Sequence, residues 1–222
     1  MLADGMDEIA IEMDGGSVSA SLHGQGRTVV VLGHGAGSTR RTPGLVALAE
    51  ALAASGRCAV LYNFLYSERS GRRPDPPAVL EATTAAVGEY ARTVLGASRI
   101  VHGGRSMGGR IASQAVAQGA AADALVFLGY PLHPPGQFEK MRDRHLPDVP
   151  APMLFVQGTR DEFSRWDLLT AVLARLGERA TLHAVEAADH SFKVLKRSGR
   201  TAADVESEVH GTVLSWLAAH GL

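Results

Sequence analysis

The sequence predicts an α/β protein built on a mostly parallel sheet with helices on both faces. Segments rich in β-branched and apolar residues alternate along the chain with segments whose apolar residues recur at helical spacing. Strands that alternate with helices pair in parallel through right-handed crossovers. The 222 residues contain no repeat, low-complexity tract or linker, so we expect one domain over residues 1–222 without a large lid domain.

The strand segments follow two patterns. Residues 9–13 and 17–22 alternate around Asp14-Gly15-Gly16, which predicts a hairpin. Residues 27–32 form a continuous β-branched run, as expected of a strand buried on both faces. The remaining predicted strands cover residues 58–64, 100–103, 124–128, 152–156 and 180–185.

The first predicted helix has clear boundary residues. Pro43 is suited to the first turn of a helix over residues 43–54, and Gly56 follows its end. Further helices are predicted over residues 78–95, 106–118, 165–176 and 203–220. Residues 67–77 are polar and rich in arginine and proline, and residues 130–150 contain no clear element, so both segments are predicted loops.

Composition excludes several classes of function. A formal net charge of -1 provides no electrostatic reason to bind nucleic acid or an anionic membrane surface. No apolar stretch approaches the roughly 20 residues that span a bilayer, and the N-terminus lacks a basic region before an apolar one. Cys58 is the single cysteine and lies in an apolar run, so no internal disulfide can form. We therefore expect a cytoplasmic protein without nucleic-acid or membrane partners.

The segment Gly103-Gly104-Arg105-Ser106-Met107-Gly108-Gly109-Arg110 is the most informative in the chain. It follows a predicted strand, precedes a predicted helix and contains the pattern G-x-S-x-G centred on Ser106. In that setting the pattern indicates a nucleophile elbow, a sharp turn that exposes a serine hydroxyl. Side chains two residues before and after the serine would collide, so glycine is needed at both positions. The alternative is a turn of small residues before a helix.

Two further polar residues follow later strands in the order that a catalytic triad requires. Asp161 comes after the strand at 152–156, and His190 after the strand at 180–185. Loops after parallel strands meet at the carboxyl edge of the sheet, and Ser, Asp, His is the chain order of the α/β-hydrolases. Separately, each could be a turn aspartate or a surface histidine. Asp189 adjoins His190, but adjacent side chains point apart, so we assign Asp161 as the acid.

The loop Gly33-His34-Gly35-Ala36-Gly37 suits an oxyanion hole. A developing oxyanion needs two backbone N–H donors, which we assign to Met107 and Ala36. His34 is expected to support the loop. A dinucleotide fingerprint would need glycine at Ser38, and the chain lacks the G-K-[ST] of a phosphate-binding loop. No histidine or cysteine spacing suggests a metal site, so no cofactor or metal is predicted.

Several blocks together resemble a known family. They are Gly33–Gly37, Tyr62-Asn63-Phe64, Gly103–Arg110, Leu128–Gly136 and Gln157–Asp161. They resemble the small, lidless α/β-hydrolases related to dienelactone hydrolase, in particular the subgroup that includes human testis-expressed hydrolase-like proteins. The resemblance runs from about Val29 to the C-terminus and implies the α/β-hydrolase fold and the triad Ser106, Asp161 and His190. It implies no substrate.

Two departures limit what the resemblance carries. Dienelactone hydrolase itself has cysteine where this chain has Ser106, so its lactone specificity is not transferred. Leu65 stands where proline is expected, which affects the pocket wall. The residues predicted to bind substrate are Asn63, Tyr66, Tyr130, His133 and Arg105. For Arg105 the alternatives are pairing with a carboxylate of the protein or contact with an anionic acyl group.

We therefore expect a serine hydrolase that cleaves small ester or thioester substrates through an acyl-enzyme. One alternative is a cofactor-free perhydrolase that uses the same triad. Another is a catalytically idle interaction module, because folds of this kind host many functions. The expected partner is a small acyl substrate, and the sequence leaves a homodimer open.

Overall fold

The core of the molecule is one eight-stranded sheet. A computed structural model describes residues 7–71 and 73–222. The strands are β1 (Asp7–Met13), β2 (Gly16–His23), β3 (Thr28–Gly33), β4 (Cys58–Tyr62), β5 (Arg99–Arg105), β6 (Ala124–Leu128), β7 (Met153–Gly158) and β8 (Ala180–Val185). Their order in the sheet is β1-β2-β4-β3-β5-β6-β7-β8.

The sheet is parallel except at one edge. The six strands β3 to β8 run parallel to one another, and the β1–β2 and β2–β4 pairs are antiparallel. Gly33 lies opposite Gly104, and Arg105 lies opposite Leu128, so the carboxyl ends of β3, β5 and β6 are level. This alignment brings the loops that follow these strands to one edge and confirms the predicted α/β class.

Helices cover both faces of the sheet. They are α1 (Pro43–Ala54), α2 (Leu65–Glu68), α3 (Pro77–Thr93), α4 (Met107–Ala117), α5 (Trp166–Leu176) and α6 (Ala202–Ala219). Helices α1 and α6 bury their apolar side chains on one face, and α3, α4 and α5 do so on the other. Within the described ranges, no helix has both the length and the apolar composition that a membrane span needs.

Alternation along β3 explains how one strand serves both layers. Val30 and Leu32 pack with α1 and α6, whereas Val29 and Val31 pack with α3 and α4. Successive side chains of a strand point to opposite faces, so a strand between two helical layers must be apolar at every position. The continuous run that predicted this strand is therefore a direct consequence of its burial.

The two predicted loops are more ordered than the sequence indicated. The segment predicted as a loop from residue 67 overlaps the short helix α2, in which Leu65 and Tyr66 are buried. The segment over residues 130–150 contains a 3-10 turn at Leu146–Asp148, and Leu132, Leu146 and Val149 pack into the core with side chains of β6, β7 and α5. This segment therefore packs against one face of the sheet.

His102 is a buried titratable group in this core. It lies on β5, is 1% exposed, and faces Gly88 of α3, where an added β-carbon would lie 2.6 Å from its Nε2 atom. Burial lowers the pKa of His102 from 6.5 to about 4, because the charged imidazolium loses its solvation.

This burial predicts an acid-sensitive stability. The unfolded chain binds the His102 proton at higher pH than the folded chain, so the contribution of His102 is fully present above pH 6.5 and is lost as the pH falls toward about 4. The full loss is about 3 kcal/mol, from ~1.4 kcal/mol per unit. Urea unfolding from pH 7 to pH 4 should therefore show a shallower decline in His102→Leu than in the wild type. Parallel declines in the two proteins would contradict this account.

Candidate active site

Ser106 sits in a strained turn between β5 and α4. Its φ of 51° and ψ of -118° lie outside the conformations that side-chain-bearing residues ordinarily adopt. The Ser106 N–H donates to the Leu128 carbonyl at 3.0 Å, and the Ser106 carbonyl accepts from the Arg110 N–H at 3.2 Å. The turn is thus fastened to β6 on one side and to the first turn of α4 on the other.

The glycines around Ser106 are required by the backbone of β3. A β-carbon on Gly104 would lie 2.2 Å from the Gly33 carbonyl oxygen, and one on Gly108 would lie 2.1 Å from the same atom. Gly104 also has a φ of +143°, which disfavours any side chain. The predicted need for glycine at both positions therefore has a specific cause, which is the close approach of Gly33 to both sides of the turn.

The structure brings the side chains of Ser106, His190 and Asp161 into one chain of hydrogen bonds. His190 Nε2 lies 2.8 Å from Ser106 Oγ, and His190 Nδ1 lies 2.7 Å from Asp161 Oδ2. The Asp161 side chain is fully buried and that of His190 is 16% exposed. In this geometry the carboxylate accepts from Nδ1–H, which leaves Nε2 free to accept the serine proton.

The Asp161 carboxylate accepts hydrogen bonds from three groups. Besides His190, the Phe163 N–H donates to Oδ1 at 2.8 Å and the Gln157 amide donates to Oδ2. A buried carboxylate needs such donors, because it has lost its water. Gln157 is fully buried, and its amide oxygen accepts from the Tyr130 N–H at 2.8 Å. This side chain therefore joins the acid to the loop that follows β6.

Sequence reasoning did not single out Gln157. The available signal was its position, since it directly follows four apolar residues, Met153 to Val156, in a strand buried on both faces. A polar side chain at such a position needs a hydrogen-bonding partner. Here that partner is the candidate acid four residues later.

The loop that carries His190 is held by one of its own side chains and by neighbouring loops. The Asp189 carboxylate accepts from the N–H groups of Ser191 and Lys193 at 2.8 and 3.0 Å, so it faces its own backbone. The Phe163 ring packs against the imidazole of His190 with centroids 4.3 Å apart. A β-carbon on Gly129 would lie 3.4 Å from His190 Nδ1, so the loop after β6 also borders the ring.

The loop after β3 lies directly beside Ser106. A β-carbon on Gly35 would lie 3.7 Å from that of Ser106. The Ser38 N–H donates to the Gly35 carbonyl, and the Gly37 N–H donates to the Tyr66 hydroxyl. Ala36 is exposed, and its N–H has no acceptor among the described residues. Met107 begins α4, where backbone N–H groups have no intrahelical acceptor.

His34 supports this loop through hydrogen bonds of its buried ring. It is fully buried, its Nε2 accepts from the Phe64 N–H at 3.2 Å, and its Nδ1 lies 2.8 Å from the Gly35 carbonyl. Burial lowers the pKa of His34, which favours the neutral ring that this donor and acceptor pattern requires. These contacts agree with the supporting role expected for His34.

The side chains of Asn63 and Tyr66 contact the protein around the Gly35–Ser38 turn. Asn63 Oδ1 accepts from the Arg40 N–H at 2.8 Å. Tyr66 is 2% exposed, and its hydroxyl accepts from Gly37 while lying 3.5 Å from the Gly35 carbonyl. Both residues hold the loop after β3, and the substrate contacts predicted for them stay predictions.

Tyr130 and His133 are fully buried. The Tyr130 hydroxyl donates to the Arg142 carbonyl at 2.7 Å. His133 Nε2 accepts from the Arg165 N–H at 2.9 Å, and its Nδ1 lies 2.9 Å from the Pro134 carbonyl. Neither side chain has exposed surface for a ligand, so this structure provides no support for the substrate contacts predicted from the sequence. Their contacts hold the loops that follow β6 and Asp161.

Arg105 contacts the His190 loop. Its Nη2 donates to Ser191 Oγ at 3.0 Å and lies 3.4 Å from the His190 carbonyl. Within the described residues it forms no ion pair within 4.0 Å. Burial lowers the pKa of the Arg105 guanidinium, and the nearby carboxylates of Asp189 and Asp161 raise it in part. Direct pairing with a protein carboxylate, one of the two alternatives considered, is therefore not what the structure contains.

The fold and this arrangement of serine, histidine and aspartate define the class of protein. The chain belongs to the alpha/beta hydrolase domain family, which matches residues 26–218. In residues 7–71 and 73–222, no three His, Cys, Asp or Glu side chains are grouped to hold a metal ion.

Solved structures share the fold over nearly the whole chain. Dienelactone hydrolase from Anabaena variabilis has a TM-score of 0.76 and 19% identity, with 97% of each chain covered. A serine hydrolase without a lid from Xanthomonas campestris has a TM-score of 0.76 and 18% identity, also with 97% of each chain covered. Est1E from Butyrivibrio proteoclasticus, solved with ferulic acid bound, has a TM-score of 0.75 and 17% identity over 95% of this chain and 99% of its own.

Proposed function

We propose that the protein is a serine hydrolase that cleaves small ester or thioester substrates through an acyl-enzyme. The observation that carries this proposal is the continuous hydrogen-bonded chain from Ser106 Oγ through His190 to the buried Asp161, at distances of 2.8 and 2.7 Å. A serine hydroxyl becomes a useful nucleophile only when a positioned base accepts its proton. In this proposal Ser106 is the nucleophile, His190 the base and Asp161 the acid.

Acylation begins with attack by Ser106 Oγ on the substrate carbonyl carbon. His190 Nε2 accepts the hydroxyl proton as the new C–O bond forms, and Asp161 stabilises the imidazolium through Nδ1–H. Collapse of the tetrahedral intermediate breaks the bond to the leaving alcohol or thiol, which takes the proton from Nε2. The acyl group then remains on Ser106.

Deacylation repeats the same steps with water. His190 Nε2 accepts a proton from water, the resulting hydroxide equivalent attacks the acyl carbon, and the second tetrahedral intermediate expels Ser106. The proton on Nε2 returns to Ser106 Oγ, and the carboxylic acid leaves. The sum of the two halves is hydrolysis of one ester or thioester bond.

The N–H groups of Met107 and Ala36 are proposed to stabilise the oxyanion in both halves. Their positions support this assignment, since Met107 begins α4 directly after Ser106 and Gly35 borders Ser106. The Gly37 and Ser38 N–H groups already donate within the protein, whereas the N–H of the exposed Ala36 has no acceptor among the described residues. Preorganised donors of this kind cost no reorganisation when charge develops.

The restriction to small acyl groups is supported by the course of the chain after β6. Residues that could have formed a cover, such as Leu132, Leu146 and Val149, are instead buried in the core with side chains of β6, β7 and α5. A site without a cover buries little of a long acyl chain, and each buried methylene contributes only about 0.8 kcal/mol.

We also propose that the chain belongs to the testis-expressed hydrolase-like subgroup, which the G-R-S-M-G-G-R block supports.

Loss of the Ser106 hydroxyl should abolish covalent labelling. A fluorophosphonate probe should label the wild type and the control Ser207→Ala, whose exposed serine lies on α6, but should not label Ser106→Ala. Mass spectrometry should place the adduct on Ser106. An adduct on another serine would refute the assignment, and a wild type that is never labelled would favour the idle interaction module.

Replacement of the two neighbouring carboxylates should have very different effects. Asp161→Asn should lower kcat by about 10⁴-fold, because the altered partner favours the wrong tautomer of His190 and removes the charge that stabilises the imidazolium. Asp189→Asn keeps an oxygen that can accept from Ser191 and Lys193, so it should lose about tenfold or less. Steady-state kinetics on a short p-nitrophenyl ester compares them, and the reverse ranking would identify Asp189 as the acid.

Activity should be highest on short acyl chains. We expect kcat/KM to peak at acetate or butyrate in a p-nitrophenyl series of about two to sixteen acyl carbons, because an open site gains little of the ~0.8 kcal/mol per methylene that full burial provides. A maximum at about twelve carbons or beyond, or a jump in rate above the critical micelle concentration, would contradict an open site for short acyl groups.

A further inference from the structure

Arg105 connects the turn that carries Ser106 to the loop that carries His190. It precedes Ser106 directly in the chain, and its guanidinium donates to the loop that carries His190, 86 residues away at Ser191. We propose that Arg105 is a positioning residue that holds the His190 loop against the nucleophile strand β5. This inference rests on the proposed function and assigns Arg105 a role in it.

The His190 loop needs such a restraint because its backbone is strained on both sides of the histidine. Ala187 and Phe192 both have a φ of 59°, in the left-handed region that residues with a side chain rarely adopt. Such a conformation is costly for a residue with a side chain and persists only when the surroundings hold it. The position of His190 therefore depends on the contacts that fasten this loop.

Most of the fastening contacts come from the β7 side or from the loop itself. Arg160 donates to the carbonyls of Ala187 and Ala188, and Asp189 accepts from Ser191 and Lys193. In the described part of the chain, hydrogen bonds from other elements to His190 and Ser191 come only from Ser106, Asp161 and Arg105. Among the described residues, the hydrogen bonds between this loop and the end of β5 therefore come from Arg105, next to the bond between Ser106 and His190.

The charge of Arg105 suits this role. Asp189 and Asp161 both favour the charged guanidinium, which offsets part of the cost of its burial. A charged donor forms a stronger hydrogen bond than a neutral one. The same geometry argues against the predicted contact with substrate, because Nη2 is directed at the Ser191 hydroxyl and the His190 carbonyl.

The test compares Arg105→Met, which keeps most of the stem but donates no hydrogen bond, with Arg105→Lys, which keeps the charge. Arg92→Gln, at an exposed arginine of α3, is the matched control. On a neutral short ester, Arg105→Met should lower kcat about 10- to 100-fold with KM within about twofold, and Arg105→Lys should recover part of the loss. The rate of fluorophosphonate labelling should fall in parallel.

A mutant cycle tests whether the contact with Ser191 carries the effect. Ser191→Ala should slow the wild type by a few-fold, on the order of one lost hydrogen bond, and should have little further effect in the Arg105→Met background. If Ser191→Ala slowed the wild type and Arg105→Met by the same factor, the proposed role of the Arg105–Ser191 hydrogen bond would be overturned. If Arg105→Met proves unstable at the assay temperature by its melting curve, Arg105→Lys and Ser191→Ala provide the same comparison.

The outcomes separate the alternatives. If Arg105 bound an anionic acyl group, its replacement would raise KM for an anionic ester such as a p-nitrophenyl hemisuccinate and leave the neutral ester unaffected. Unchanged kcat and labelling in Arg105→Met, with a wild type that is labelled at Ser106, would overturn the positioning role alone. Equal ester hydrolysis and equal labelling in the wild type and in Ser106→Ala would instead overturn the proposed hydrolase function.

Discussion

The site depends first on the close approach of two backbones. The Gly33 carbonyl of β3 lies so near the turn at Ser106 that neither Gly104 nor Gly108 can carry a β-carbon. This contact supports a serine whose φ of 51° is otherwise costly, and it sets the loop after β3 directly beside that serine. The Ser106 hydroxyl, the first turn of α4 and the Gly35–Ser38 turn all take their positions from it.

Around this turn, polar side chains fasten loops to one another. Gln157 joins the Asp161 carboxylate to the loop after β6, and His34 and Tyr66 hold the turn after β3. His133 ties the start of α5 to the loop after β6. Each of these side chains is buried and has hydrogen-bond partners within the protein, as buried polar groups require. A candidate site made of loops thereby gains the rigidity of the sheet beneath it.

The two charged side chains near His190, Asp161 and Arg105, differ in burial and in their partners. Asp161 is fully buried and accepts from three donors, whereas Arg105 is partly buried and has no carboxylate within ion-pairing distance among the described residues. The two carboxylates near Arg105 act on it through space. These carboxylates favour the charged form of Arg105, which strengthens the hydrogen bonds that its guanidinium donates to the His190 loop.

The sequence by itself determined the alternation of strands and helices, the turn at Ser106 and the order of Ser106, Asp161 and His190 along the carboxyl edge. These features depend on local patterns, since side-chain periodicity and glycine placement act over a few residues. Tertiary structure alone decided that Tyr130 and His133 are buried, that Gln157 holds the acid, and that Arg105 reaches Ser191. These contacts depend on where a side chain points after the sheet has formed. They join residues from different strands and loops, and the sequence offers a signal only for Gln157, a polar residue at the end of a strand that is buried on both faces.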